Sequence, residues 1–324
     1  MFKSVAKFAV APLMAAALMS APGHASTSFD LFGSYNAIFF GDYTLPNSDV
    51  EGALAVGGNA SLSNFSVGDK LSNPDYALVV GGNLTTGSGR IYYGDVAVGG
   101  EANLDSSVYW GLKNEGQEVT SELPIDFAAV EQLAKDTAAY YAGMGATGTV
   151  DNAWGTYTIG NTADGGPQVF NMTADQLKEA HTLALAFTPS NGSSIVINVS
   201  GSIIDMSNMG LFQTASQNIL FNFYEAETVN IGGVGVYGNI LAPTADFVTQ
   251  YGQINGVVIG GSWSGSVQVN NSLGFNDDSW VPNEPGIPTI PGVPEPATWL
   301  MMIFGFGFVG LAARRRKGVR ALAA

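Results

Sequence analysis

Asp49 and Glu51 are the first residues in this chain whose type and spacing could do chemistry. Two carboxylates two positions apart on a strand point the same way, and paired carboxylates carry out acid and base steps on glycosidic bonds. No second carboxylate pair within the repeats is spaced alike, so the preferred reading places both at a corner, accepting hydrogen bonds from a turn or facing a cation. His181 is the one histidine left once the first 25 residues are removed, and a lone imidazole cannot build a multi-histidine metal site. No nucleophile-elbow motif accompanies it, which leaves a Ser-His-Asp arrangement without its usual frame. The chain has no cysteine, so disulfides and thiolate metal sites are excluded. The expectation is a protein with no catalytic residues, no cofactor and no metal centre.

The elements that would position such residues come from an unusual composition. Of 324 residues, 46% are apolar and only 12% are charged, while glycine numbers 42, a balance that suits a β-rich exported protein better than a helical cytosolic enzyme. The net charge of −15 understates the acidity of the central region. Between residues 26 and 294 only five basic residues, Lys70, Arg90, Lys113, Lys135 and Lys178, stand against 26 acidic ones, a net charge of −21. Such a surface repels phosphate backbones, so no nucleic-acid partner is expected.

Residues 49–104 say nearly the same thing three times. A short apolar run ends in Val56-Gly57-Gly58-Asn59, then Val80-Gly81-Gly82-Asn83, then Val98-Gly99-Gly100-Glu101. A recurrence of roughly 18 to 24 residues is the length of one solenoid coil. Stacked coils bury one another's apolar sides, and the glycine pairs let the backbone turn where a Cβ would clash. The fold class expected is mainly β, a β-solenoid of the β-helix kind with one long helix packed along its flank; an antiparallel sandwich with glycine turns is the other reading. The helix is placed after Asp126 as N-cap, with Phe127, Val130, Leu133, Thr137 and Tyr140 or Tyr141 on its apolar face, Ile125 and Val130 as a hydrophobic staple, and Gly143 and Gly145 at its end. A second, short helix is expected over 173–181 from the Thr173 and Gln176 capping pattern. Asn59, Asn83, Asn198, Asn222, Asn239 and Asn255 sit at strand ends or in apolar runs, where a stacked asparagine ladder would satisfy their amides. Strands resume from residue 183, and Ile231-Gly232-Gly233 and Ile259-Gly260-Gly261 read as repeats of the earlier corner.

The run from Asn36 through Asp49-Val-Glu-Gly-x-Leu-Ala-Val-Gly-Gly-Asn59 resembles the bacterial choice-of-anchor A family, and later segments at 197–201, 222–223, 238–243 and 254–256 resemble it in the same order. The likeness covers about residues 29–275. It implies a secreted, surface-associated adhesive domain with a β-solenoid similar to ice-binding-like proteins, which carry such a helix. The family often closes on a histidine near its last strand, where this chain has Val269-Asn270-Asn271.

Both termini read as addresses. Lys3 and Lys7, an apolar run and Gly23-His24-Ala25 form a secretory signal with cleavage after Ala25, which implies the Sec machinery and signal peptidase as partners. At the other end Pro294-Glu295-Pro296 leads into an apolar run over 297–313 and the basic stop Arg314-Arg315-Arg316-Lys317, which holds that end in the cytoplasm. This order resembles the PEP-CTERM sorting signal of Gram-negative bacteria. The resemblance implies processing by an exosortase near the Pro-Glu-Pro motif after transient anchoring in the inner membrane. The organisation expected is a signal peptide (1–25), the solenoid domain (26–275), a linker (276–292), the sorting signal with its transmembrane segment (293–317) and a cytoplasmic tail (318–324).

The function expected is an exported surface or matrix protein, adhesive or biofilm-associated, whose partners beyond exosortase are an extracellular polysaccharide or further copies of itself. The alternatives are a glycan-active β-helix enzyme, for which the mature region has few basic side chains to line a cleft, and an ice-binding protein. Ice binding calls for small or threonine side chains recurring outward on successive coils, whereas Thr156, Thr158 and Thr162 are local.

Overall fold

The computed structural model describes residues 30–72, 74–161, 168–187, 194–211 and 218–271. All of them belong to one compact unit spanning 29–289; the other unit, 1–28 with 290–324, lies outside the described residues. The unit is mainly β. Apart from one antiparallel hairpin, Gly148–Ala153 with Thr156–Asn161, its paired strands run parallel, and its sheets curl round a common apolar interior, an arrangement consistent with a β-helix.

The first three coils each contribute one short strand to each of three faces, while Asn239–Thr249 and Val258–Gly265 run unbroken from the first face into the second. The first coil is Ala37–Phe39, Tyr43–Pro46 and Asp49–Val50, the second Leu54–Val56, Ala60–Ser63 and Phe65–Val67, and the third Tyr76–Val80, Leu84–Thr86 and Gly89–Ile91. Val56 pairs with Val80 and Val80 with Val98, so the three Val-Gly-Gly signatures stack on neighbouring parallel rungs of the first face. The glycines follow from that stacking. A Cβ on Gly57 would strike the Phe40 carbonyl oxygen, one on Gly81 the Gly57 oxygen and one on Gly99 the Gly81 oxygen, all well inside van der Waals contact. None of the three has positive φ, so close approach of one rung to the next requires glycine here, rather than a left-handed turn.

The strands of the first face are apolar on both sides because both sides are buried. Leu78 and Val80 point into the column, while Val79, Ala55, Ile38, Leu241 and Leu220 lie on the outer side, also fully buried. Helix α1 (Ser106–Glu115) follows the two strands of the fourth coil, Asp95–Val98 and Ala102–Asn103, and puts Val108 and Leu112 into the core as a lid on that end. It starts at Asp105, whose carboxyl lies below the usual carboxylate range because of hydrogen bonds from Ser107, its side chain first and then its backbone. Sequence patterning did not reveal α1. Helix α2 (Phe127–Gly143) starts at Asp126, whose side chain accepts from Ala129 N–H, and buries Val130, Leu133, Ala134, Thr137, Ala138 and Tyr141. Tyr141 rather than Tyr140 is the buried member of that pair. Contacts run from α2 to the strands at 194–200, 218–222 and 239–249. Asn222 Nδ2 donates to Ala138 O (2.9 Å) and Asn198 Nδ2 to Tyr141 O (2.8 Å). Three helical residues rise about 4.5 Å, close to the ~4.8 Å between strands, so successive rungs meet successive carbonyls. Helix α3 (Ala174–Glu179) begins in a complete capping box between Thr173 and Gln176 and takes the place of a second-face strand in its coil.

Coils do not stack in chain order. The first coil sits mid-column: Ala37 pairs with Leu54 on one side and with Val258 of the last coil on the other. The chain builds outward to α1, crosses to the far end at Gln168–Thr173, and winds back through Ser194–Ser200, Asn218–Asn222 and Asn239–Thr249 to Val258–Gly265. The seam between first and last coils is held by backbone pairing and by four aromatic rings. Phe39 lies 5.1 Å from Tyr43, 5.5 Å from Phe247 and 5.4 Å from Trp263, and Trp263 stacks on Tyr43 at 5.7 Å and on Phe247 at 5.8 Å. Gly260 belongs to this cluster: a Cβ there would meet the Phe39 and Phe247 rings. Ile259-Gly260-Gly261 is therefore not the earlier corner repeated, since Gly260 pairs with Phe39 inside a strand. Gly233, with φ 65°, turns the second face into the third, so 231–233 is a different corner again.

The Tyr43 hydroxyl is buried in this cluster without a hydrogen-bond partner, and burial holds its pKa well above the ordinary phenol value. Tyr43→Phe removes an unsatisfied group at no cost in packing, so it is expected to raise stability by about 1 kcal/mol. Chemical denaturation of the two proteins checks this, and a loss of stability would mean that the hydroxyl has a partner.

Candidate functional site

The first face is covered, so the second and third faces carry what the column shows to solvent. On the second face Tyr43, Leu45, Leu62, Phe247 and Trp263 alternate inward with small polar residues outward. The outward positions stack in register from Asn103 through Thr85, Ser61, Thr44, Ser264, Val248 and Asn230 to Asp205. This regular column was not legible in the sequence, because its members sit on coils that are distant in the chain. Thr156 and Thr158, the threonines singled out there, lie in a separate hairpin, and Thr162 is outside the described residues.

Beside this column the backbone is pinned rung to rung. Asp42 Oδ1 accepts from the backbone N–H of Asn59 (2.8 Å), Asn59 Oδ1 from that of Asn83 (3.0 Å) and Asn83 Oδ1 from that of Glu101 (2.8 Å). Asn59 and Asn83 are exposed rather than buried, and their side-chain oxygens accept from the backbone of the next rung rather than from its amide, while Asn59 Nδ2 donates to Asp42 Oδ1 (3.1 Å). The buried ladder is a separate one: Asn222 Nδ2 donates to Asn198 Oδ1 (2.8 Å) and Asn198 Nδ2 to Asn171 Oδ1 (3.3 Å). A third group spans the corner into the first face. There Asn239 accepts from Val257 N–H (2.8 Å), and Asn36 Nδ2 donates to Gly256 O (2.9 Å).

The candidate chemical residues are placed apart. Asp49 Oδ1 accepts from Ser66 N–H at 2.9 Å, and Glu51 Oε2 from Asn271 N–H at 3.0 Å, so each carboxylate fixes a corner. His181 is exposed beside the Trp154-Gly155 turn, where a Cβ on Gly155 would meet its imidazole. Lys70, Arg90 and Lys135 pair with Asp69, Glu115 and Glu131 at separate places on the surface. Among the described residues no group of three or more His, Cys, Asp or Glu side chains could hold a metal ion, and no helix is long and apolar enough to cross a membrane. Ala25, Pro294, Glu295, Pro296, Arg314, Arg315, Arg316 and Lys317 lie outside the described residues.

Exposed aromatic side chains mark both ends of the column. Tyr109 and Trp110 meet edge to face at 5.3 Å on α1. At the other end Trp154 is fully exposed at a hairpin turn with φ 55°, a left-handed conformation that a bulky residue rarely adopts. A family model described as "Putative Ice-binding-like adhesive domain" matches residues 28–271, and one described as "PEP-CTERM protein-sorting motif" matches residues 292–317. No curated protein and no solved structure matches the chain.

Proposed function

The chain belongs to the ice-binding-like adhesive domain family over residues 28–271 and carries a PEP-CTERM protein-sorting motif at 292–317, and from that premise we propose that it works as an adhesive component of the cell surface or extracellular matrix. The sorting motif implies export to the envelope of Gram-negative bacteria, with exosortase as the processing partner. The narrower choice-of-anchor A assignment, the biofilm role and the boundaries drawn above for signal peptide, domain, linker and tail belong to this proposal. So does the absence of a catalytic step.

The observation that carries the adhesive reading is the outward second face. Adhesion needs a surface that is already ordered, so that binding does not have to freeze it. The column from Asn103 to Asp205 is built on in-register strands and flanked by the Asp42–Asn59–Asn83–Glu101 backbone ties, which supply that order. Cells lacking the chain should detach from a colonised surface more readily than cells carrying it, and equal retention of the two would remove the adhesive role.

Replacing Pro294, Glu295 and Pro296 together by alanine is expected to leave the tail uncut. Fractionation with intact-mass measurement should then find the variant in the inner membrane with its sequence running past Arg316, while the wild-type surface form ends near the motif. A wild-type surface protein with its tail intact would overturn the sorting argument.

One observation favours a second reading. Thr44, Ser61, Thr85 and Ser264 do recur outward on neighbouring coils, as an ice-binding face would require. The column is interrupted by Val248, Asn230 and Asp205 and bordered by Asp42 and Glu101, which keeps the weight on adhesion. A thermal-hysteresis measurement on the purified protein is expected to show no effect.

A further inference from the structure

Where the second face turns into the third, a cleft of about 110 Å³ is lined by Ser207, Asn208, Asn230, Gln250 and Tyr251, with Val248 on its rim. At other corners the side-chain amides are engaged: those of Asn36, Asn59, Asn83, Asn198 and Asn239 each tie one coil to another. In the cleft they are idle. Among the described residues, the side chains of Asn208, Asn230 and Gln250, the Ser207 hydroxyl and the Tyr251 phenol make no hydrogen bond to protein.

The cleft is nonetheless built. Asn208 is held at φ 55° with its N–H on Gly232 O (2.8 Å), and Gly233 N–H donates to Tyr251 O (2.7 Å). A Cβ on Gly233 would strike the Asn208 amide oxygen and crowd the Tyr251 ring, so glycine leaves the space between those two groups. In register beside Asn230 stands Asp205, one of whose carboxylate oxygens is buried without a hydrogen-bond partner. Tyr251 is 61% exposed and Val248 48%, which gives the cleft an open apolar rim.

Three carboxamides offer donors and acceptors side by side, matching neighbouring hydroxyl groups. A half-exposed tyrosine ring offers a flat face to the C–H side of a sugar. No cation lines the cleft, and the five basic residues between 26 and 294 face 26 acidic ones, so a phosphorylated or uronic ligand would be repelled. The geometry points to a subsite for one ring of a neutral glycan chain. This rests on the adhesive reading and gives it a ligand class.

The test uses the full chain in mild detergent, with cellohexaose, maltohexaose, laminarihexaose and chitohexaose as probes and polygalacturonate as the acidic control, read by saturation-transfer NMR. At least one neutral hexasaccharide should bind, with an affinity of about millimolar for so small a subsite. Tyr251→Ala and Asn230→Ala should each weaken it tenfold or more at an unchanged melting temperature, Tyr251→Phe should keep most of it, and Trp154→Ala should leave it intact. If the alanine variants unfold, Tyr251→Phe and Asn230→Asp take their place, with the aspartate expected to change binding and the phenylalanine to spare it. Binding to none of the four neutral probes, binding only to polygalacturonate, or Tyr251→Ala and Asn230→Ala (or Asn230→Asp in their place) binding like wild type would overturn the subsite. Retention of cells on a surface is scored separately: if it persists while the probes fail, the cleft is wrong and the adhesive reading stands, and if it is absent the reading itself fails.

Discussion

Trp263→Ala is expected to lower the melting temperature by about 10 °C, measured by calorimetry on the purified chain. Trp263 is 2% exposed and touches three other rings, so its removal leaves a cavity that rigid neighbouring rungs cannot close. Truncating a buried tryptophan costs about 3–5 kcal/mol, and each kcal/mol corresponds to roughly 2–4 °C in a domain of this size. The site matters as much as the size. Trp263 pairs with Tyr43 across the seam, so hydrogen exchange should rise together at 37–46 and 258–265. A loss confined to one side would show that the two coils do not hold each other.

Gly81→Ala should be nearly as damaging, although it adds a single methyl group. The new carbon would meet the Gly57 carbonyl oxygen, which is backbone and cannot swing aside. Relief requires two hydrogen-bonded rungs to part, at the place where Gly81 N–H donates to Val56 O (2.7 Å) and Gly99 N–H to Val80 O (2.8 Å). Overpacking of this kind costs about 1–3 kcal/mol, and an immovable neighbour puts Gly81 at the upper end. Gly111 is the internal control. It lies inside α1 with open space around it, so Gly111→Ala should stabilise by about 0.5–1 kcal/mol. Equal losses at both positions would mean that close rung stacking is not what selects glycine.

Which parts of this were legible in the sequence follows from what each part depends on. The Val-Gly-Gly repeats were legible because rung stacking is local and periodic: Val56, Val80 and Val98 fall one coil apart and pair in register. The strands of the first face read as unbroken apolar runs, and burial on both sides is the reason. Coil order was not legible. Nothing local to Ala37–Phe39 says that its second neighbour will be Val258–Gly260, more than 200 positions away. The outward column failed for the same reason, since Thr44 and Ser264 become neighbours only through that closure. Helix α1 escaped because only Val108 and Leu112 are buried, too few to set a period, although Asp105 and Gly116 mark its two ends. The cleft escaped because its amides look like every other asparagine in the chain. Only the hydrogen-bond pattern separates Asn230, whose side chain has no protein partner, from Asn198, whose side chain has three.

The mid-column position of the first coil has a mechanical consequence. Chain enters and leaves the described unit side by side: Asn36 Nδ2 reaches Asn270 O at 3.4 Å, and Asn271 is tied to Glu51. Tension drawn through the segment beyond Asn271 would therefore arrive at the waist of the domain rather than at a tip. It would load the last strand, Gln268–Asn270, where Val269 pairs with both Ile254 and Val50, and behind it the packed rings of Phe39, Tyr43, Phe247 and Trp263. A load applied there reaches paired backbone and packed rings together, with rungs of the column on either side to share it.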